Sequence, residues 1–404
     1  MNPLADIRNI CFFDTETRAL PGTSESDANV KTAGTYRYAR NSFVIIATFA
    51  IGDGPVIEMA MEHGFDGPRF RPVDAPSVLL EFHRRVERGE AWYAAWNAGF
   101  DRNVWNHGTK LPPLRVDDVI DVMAQATAAN LPPSLHGASM VLGLAGKLPE
   151  GKELIRLFSA PDGAQPHEEP EKWRLFKEYA LRDTALLRDI WRRTNALPMA
   201  EWEDYWVSER INERGVAVDV DLAARAAKIA AADKRRSGEL LTRWTGGVVT
   251  AVTQTARIVD WVYEALPYAE ARELMVTQWD EDKDASGDEE ADLVPAKMSV
   301  ARDRIAALLA FFAAREQTHG LTDADRTIVD VLTVRQFGGS SSPGKFAKMV
   351  DQHVGGRLHG QYVFNGAPQT GRFSSKGVQV HNLTRSTLGE HEAAAIDMIN
   401  RMED

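Results

Sequence analysis

The sequence predicts an α/β chain of two or three domains, and three observations carry that prediction. Short apolar runs at Ile10-Cys11-Phe12-Phe13 and Ala91-Trp92-Tyr93-Ala94-Ala95-Trp96 read as buried strands. Helical spacing joins Trp173, Phe176, Ala180, Leu187 and Trp191. At 404 residues and 44% apolar content, the chain has material for more than one sizeable core.

The first strand ends in Asp14-Thr15-Glu16-Thr17. Side chains alternate along a strand, so Asp14 and Glu16 share a face. Two carboxylates placed this way are unfavourable unless a cation lies between them. Hard oxygen ligands of this kind suit Mg²⁺ or Mn²⁺. With 58 acidic residues in the chain, such a triplet also arises as solvated surface; the apolar strand before it is what favours a site.

After the second strand, Asn97 starts a turn, and Phe100-Asp101 leads into Asn103-Val104-Trp105, which reads as the first turn of a helix. That order delivers Asp101 to the sheet edge. The competing reading makes Asn97 and Asp101 simple helix caps. In the third segment, Tyr179 and Asp183 are four residues apart and share a helical face. Such a pair suits a cation beside an oriented water. The competing reading is a buried Tyr beside an incidental acid.

Taken together and in this order, Asp-x-Glu, Asn-x-x-Phe-Asp and Tyr-x-x-x-Asp closely resemble the DEDDy family of 3′→5′ exonucleases, over roughly residues 7–195 and at every signature position. The resemblance implies a ribonuclease-H-like exonuclease domain over 1–196, a mixed sheet flanked by helices. It implies two ions, Mg²⁺ or Mn²⁺. Asp14, Glu16 and Asp183 would hold the ion that activates water, Asp14 and Asp101 the ion on the leaving side, and Tyr179 would orient the nucleophile. Two cations about 4 Å apart clamp both oxygens of an in-line displacement and lower the pKa of the water, so no histidine base is needed. Asn97 and Phe100 are expected to contact the nucleic acid.

A site of this kind serves exoribonucleases and proofreading domains alike, and the remaining sequence favours the second. Arg210-Ile211-Asn212-Glu213-Arg214-Gly215-Val216-Ala217-Val218-Asp219 looks like the junction where relatives of bacterial DNA polymerase I enter the polymerase body. The next predicted helix, Ala223 to Trp244, carries Arg225, Lys228, Lys234, Arg235, Arg236 and Arg243. This is either a thumb-like face gripping duplex phosphates or an ordinary solvated face. Thr253 to Leu266 resembles the family's short thumb helix, with Ile258, Trp261 and Val262 inward. A mostly helical thumb-like region is thus expected over 197–330.

The stronger resemblance is C-terminal. Thr370-Gly371-Arg372-Phe373-Ser374-Ser375, followed by Gln379-Val380-His381-Asn382-Leu383, is a specific mark of family A DNA polymerases. With Tyr36-Arg37-Tyr38 near the front, its variety is similar to that of phages and prophages. The resemblance implies that Arg372 contacts the nucleic-acid backbone near the primer terminus and that Thr370 and Gly371 form the turn presenting it. Arg335, Lys345 and Lys348 match the family's template- and primer-contacting positions more loosely, and Gln379 and Asn382 complete the expected DNA contacts. Charge agrees with this placement. The chain is net −11, whereas residues 335–385 hold seven Lys or Arg against Asp351 alone, net +6. Conversely, residues 280–292 hold eight acids and one Lys and read as a solvated, flexible loop.

Family A polymerases place nucleotide addition in three later motifs, and none occurs in these 404 residues; no His-Asp-Glu triplet is present. Residues 331–404 are therefore expected to form an incomplete palm. Three origins are open: a truncated or degenerate polymerase, a split enzyme whose second polypeptide supplies the rest, or an incomplete reading frame. An unpartnered Glu390 to Met402 helix, with Ala394, Ile396 and Ile399, should then expose apolar surface.

The single cysteine, Cys11, lies in an apolar strand, which excludes an internal disulfide and suits a reducing cytoplasm. No secretion signal is read in Met1-Asn2-Pro3-Leu4-Ala5-Asp6, and no apolar run reaches the ~20 residues of a membrane helix. The expected partners are DNA, as a single-stranded 3′ end at the exonuclease site and a primer–template duplex at thumb and palm, and possible completion by a second polypeptide. Two rival readings stand: an RNA-directed exonuclease, and a non-catalytic DNA-binding subunit or remnant that needs a second polypeptide for polymerisation.

Overall fold

The structure, a computed structural model, describes residues 2–59, 76–276, 298–340, 342–367, 370–383 and 389–401. The acidic stretch 280–292 lies outside them, as do Pro368, Gln369 and Met402. The chain divides into two compact units, Met1–Val220 with Lys348–Arg385, and Asp221–Ala347 with Ser386–Asp404.

The first unit is built on a five-stranded sheet of β1 (Ile10–Ala19), β2 (Ser42–Ile51), β3 (Ile57–Glu58), β4 (Trp92–Ala95) and β5 (Val119–Asp121). Its order is β3-β2-β1-β4-β5. The sheet is mixed: β1 runs antiparallel to β2 and parallel to β4, β2 is antiparallel to β3, and β4 is parallel to β5. β1 is longer than its apolar run, because Thr15 and Thr17 carry the strand through the acids with their β-branched side chains buried.

Helices cover both faces. α1 (Val30–Ala33) and α2 (Thr35–Arg40) lead into β2; α3 (Ser77–Glu87) and α4 (Ala98–Gly108) flank β4. Then follow α5 (Val122–Ala128), α6 (Leu135–Val141), α7 (Gly151–Phe158), α8 (Pro170–Arg193) and α9 (Met199–Arg214). The period of two along β1 sorts its side chains. Ile10 and Phe12 join a core with Leu187, Trp191 and Trp202 of α8 and α9. Cys11 and Phe13 join the opposite core with Phe82 of α3 and Trp105 of α4. Each fully buried aromatic contributes roughly 2–3 kcal/mol to these cores. α8 has Pro170 in its first turn, where the missing N–H costs nothing, and Arg192 and Arg193 in its last turn, where they suit the helix dipole.

C-terminal strands complete this unit. β6 (Val216–Ala217) pairs antiparallel with β7 (Arg357–Leu358), and β8 (Tyr362–Ala367) with β9 (Arg372–Ser375). The Asn212 carboxamide imitates a strand partner: it donates to Tyr362 O and accepts from Tyr362 N, both at 2.9 Å. Phe364 packs edge-on against Tyr205 and Phe373.

The described part of the second unit is mainly helical: α10 (Val220–Trp244), α11 (Thr255–Ala265), α12 (Ala269–Glu273), α13 (Arg302–Thr318), α14 (Asp323–Gly338), the start of α15 (Gly344–Gln352), and α16 (Glu392–Arg401). Its core gathers Leu241, Ile258, Val262, Leu308, Phe312, Ile328 and Leu332, with Trp261 only partly buried against it. α14 opens with a capping box, Thr322 bonding Asp325 N while the Asp325 carboxylate bonds Thr322 N. α16 buries none of its residues, and Met398 is 70% exposed. No helix among the described residues is long and apolar enough to cross a membrane.

Candidate active site

The alternation that divides the two cores also places the acids. Asp14 and Glu16 continue the row of Ile10 and Phe12, on the face covered by α8. They pair across the sheet with Thr48 and Ile46, and the register slips by one residue immediately afterwards, between Glu16 and Thr17. α8 is fastened there by Thr48, whose hydroxyl bonds Thr184 Oγ1 at 2.7 Å and Ala180 O at 3.2 Å. One turn of α8 then presents Tyr179 and Asp183 beside the strand, both buried.

Asp101 arrives from the other side. Helix α4 begins at Ala98, earlier than the turn read at Asn103, and Asn97 just before it adopts a left-handed conformation (φ 57°, ψ 51°). The Asn97 side chain makes no capping bond; its backbone N–H donates to Asp121 Oδ1 at 2.9 Å. Asp101 is held by β1 rather than by its own helix end: Oδ1 accepts from Thr15 Oγ1 at 2.6 Å and from Thr15 N at 3.1 Å. Phe100 is half-buried and stacks on Tyr38, with ring centroids 6.0 Å apart.

Lys147, from the loop between α6 and α7, completes the constellation. Its ammonium forms an ion pair with Asp183 Oδ2 and donates to the Tyr179 hydroxyl at 3.0 Å. Nothing in periodicity marked it, since a loop has no repeat to read. Thr15 and Gly151 were missed for related reasons. A strand pattern ranks Thr15 as filler, and the need for Gly151 arises only from the ring packed against it.

The carboxylates lie within electrostatic reach of one another. Burial, then Asp183, push Asp14 up to about 7, against the pull of Lys147. Glu16 is raised well above the usual range by burial, then by Asp14 and Asp183. Asp101 is raised well above its usual range by burial and Asp14, although the Thr15 bonds favour its charged form. Burial also raises Asp183, opposed chiefly by Lys147. Burial disfavours the Lys147 ammonium, but Asp183 and Tyr179 outweigh it and raise its pKa.

Among the described residues, no three His, Cys, Asp or Glu side chains are gathered closely enough to form a metal cage as they stand. Two observations nevertheless fit hard divalent cations. Asp183 Oδ1 is buried without a hydrogen-bond partner. The four mutually repelling acids offer an all-oxygen donor set, which suits Mg²⁺ or Mn²⁺.

The other sequence candidates lie elsewhere. Thr370 N and Gly371 N both bond Ala367 O at 3.0 Å, and Gly371 has a positive φ of 63°, so the tight turn before Arg372 is present and Arg372 is exposed. Gln379 (φ 55°) and Asn382 are exposed, the first just before and the second at the end of the following short 3₁₀ segment. Arg335 is half-buried and donates to Val252 O at 3.2 Å, a brace within the helical unit. Lys345 is half-buried near the start of α15. On α10, Lys228, Lys234, Arg235, Arg236 and Arg243 are all exposed.

No family model matches the chain. The DNA polymerase of Bacillus phage SP02 is 26% identical over 385 residues, covering 91% of this chain and 51% of that protein. The chain thus spans about half the length of this relative. Among solved structures, the POL domain of Pol1 from M. smegmatis, in complex with DNA primer-template and dNTP, covers 93% of this chain and 53% of its own at 12% identity and a TM-score of 0.48.

Proposed function

We propose that this chain, a family A-like DNA polymerase relative, removes nucleotides from DNA 3′ ends by two-cation hydrolysis within a ribonuclease-H-like domain over 1–196. The observation that carries the reading is the meeting of β1 with α8 and α4. Asp14 and Glu16 lie on the face that receives Tyr179 and Asp183, while Thr15 between them holds Asp101.

Asp14, Glu16 and Asp183 would hold one cation, and Asp14 with Asp101 the other. Bound there, the pair supplies a nucleophile at neutral pH and neutralises charge at the leaving oxygen. Tyr179 orients the attacking water through its hydroxyl, and Thr15 fixes the Asp101 carboxylate through two hydrogen bonds to Oδ1. Asn97 and Phe100 sit at the start of α4, next to Asp101, where a 3′-terminal nucleotide would lie. The region 197–330 is the thumb-like part, with the exposed basic side chains of α10 meeting duplex phosphates. Within 331–404, Arg372, Thr370, Gln379, Asn382, Arg335 and Lys345 supply further DNA contacts.

The test is a 5′-labelled primer–template incubated with Mg²⁺, with and without deoxynucleoside triphosphates. A shortening ladder, lost in Asp14→Ala and Asp101→Ala while both variants keep their melting temperature, is the expected outcome. Retained cleavage in either variant rejects the site. Faster degradation of an RNA strand rejects DNA as substrate, primer extension rejects hydrolysis as the chain's sole activity, and duplex binding without hydrolysis leaves only a DNA-binding role.

A further inference from the structure

We propose that Lys147 is a positioning residue of this site, aiming both Asp183 and Tyr179; this rests on the exonuclease reading above. The ammonium engages Asp183 through Oδ2, while Oδ1 is buried and unpartnered. One oxygen is thereby fixed by Lys147, and the other is left for a cation. The same ammonium lies 3.0 Å from the Tyr179 oxygen and 5.1 Å from the ring centroid. An ammonium only donates. The Tyr179 oxygen must therefore accept from it, and its own hydrogen is turned toward a different acceptor.

The loop bearing Lys147 is itself clamped to α8. Arg182, one residue before Asp183, donates Nε to Gly146 O at 2.7 Å. At the loop's far end, α7 begins at Gly151, packed against the Tyr179 ring. Lys147 is thus held at both flanks by the helix whose side chains it aims. Its side chain keeps 28% of its surface exposed, against 4% for Asp183.

The test compares Lys147→Met and Lys147→Arg with the wild type on a labelled DNA 3′ end, at saturating substrate and Mg²⁺. Misaiming a reacting group by about 1 Å costs on the order of 100-fold in rate. Lys147→Met is therefore expected to lower kcat by roughly 10- to 100-fold with KM little changed, and Lys147→Arg to recover much of it. In a Tyr179→Phe background the same Lys147→Met change should cost far less, because one of the groups it aims is gone. An independent readout needs no turnover: ¹⁹F NMR of the metal-free protein labelled with 3-fluorotyrosine. The Tyr179 resonance, assigned by its loss in Tyr179→Phe, should shift in Lys147→Met. An unmoved resonance, or an unchanged kcat in an active wild-type background, overturns the proposal and leaves the exonuclease reading standing. A wild type that cleaves no 3′ end overturns both.

Discussion

Gly151 packs so closely against Tyr179 that a Cβ at this position would stand 2.8 Å from Cδ2 and 2.9 Å from Cζ of the ring. Glycine is required here by the ring, not by an unusual backbone angle. Gly151→Ala must push Tyr179 or the start of α7 aside, and overpacking of this kind costs about 1–3 kcal/mol. The expected result is a lower melting temperature together with a fall in exonuclease kcat of at least about tenfold, the equivalent of ~1.4 kcal/mol. Wild-type kcat in Gly151→Ala would show that the position of the ring does not matter to hydrolysis.

Thr15→Val keeps the shape of the side chain and removes only the hydroxyl that bonds Asp101 Oδ1 at 2.6 Å. Asp101 then retains one backbone donor. A hydrogen bond to a charged group is worth about 1.5–3 kcal/mol, so the buried carboxylate becomes harder to ionise. The expected outcome is a pH–rate profile whose acidic limb moves to higher pH, measured as kcat from pH 5.5 to 9. An unmoved limb would remove Thr15 from the site.

Asp121 offers a pH test of stability outside the proposed cation ligands. Burial is the leading cause that pushes it up to about 7, opposed by the Met123 N–H and reinforced by Glu209. In the unfolded chain an aspartate titrates near 3.9. Between those values the folded protein binds more protons than the unfolded chain, so this group's contribution to stability falls as pH rises from about 4 to about 7, then levels off. The loss is of order 2–4 kcal/mol. Asp121→Asn keeps an acceptor for the Asn97 and Met123 N–H groups, each 2.9 Å from Oδ1. It should melt higher than wild type at pH 8 and show a flatter dependence between pH 4 and 7 in thermal scans. Parallel curves for the two proteins would assign the pH dependence to other groups.

Arg372 is exposed directly after the Thr370-Gly371 turn, where its guanidinium has little to do for the fold. If it meets a phosphate, Arg372→Ala should weaken duplex binding at all sequences and reduce the slope of log Kd against log salt by about one. Fluorescence anisotropy across a salt series measures both. Arg335→Ala, by contrast, removes a brace to Val252 O and should lower thermal stability. An unchanged salt slope in Arg372→Ala would exclude a phosphate contact.

The sheet-and-helix framework around the acids was legible because its periods are strict. A strand repeats every two residues and a helix every 3.6, so Asp14 and Glu16, or Tyr179 and Asp183, announce a shared face directly. The apolar stripe from Trp173 to Trp191 similarly marked α8, which the structure extends over Pro170–Arg193. What periodicity does not encode is contact between elements. Lys147 reaches Asp183 from a loop, Thr15 holds Asp101 across 86 residues of sequence, and Asn212 bonds Tyr362 across 150. The start of α4 was read late because a left-handed Asn97 lets the chain turn directly into Ala98, with no side-chain cap to mark the boundary. In β2, ten residues of nearly unbroken apolar sequence, periodicity alone does not distinguish a strand from a buried helix; the pairing with β1 makes it a strand.

The slip in register after Glu16 has a consequence for how the gene tolerates insertions and deletions. Loss of one codon between Ile10 and Asp14 would leave an apolar run able to form a strand, yet it would turn both acids toward the α4 face and bring Thr15 to the α8 face. The same loss after Glu16 falls where the pairing with β2 already absorbs an irregularity, downstream of every acid on β1. Two neighbouring stretches of one strand thus answer to different contacts. Before Glu16 the spacing is an address for the carboxylates; beyond it the spacing serves the buried Thr17 and Arg18, which bond the Tyr38 hydroxyl and Ala164 O.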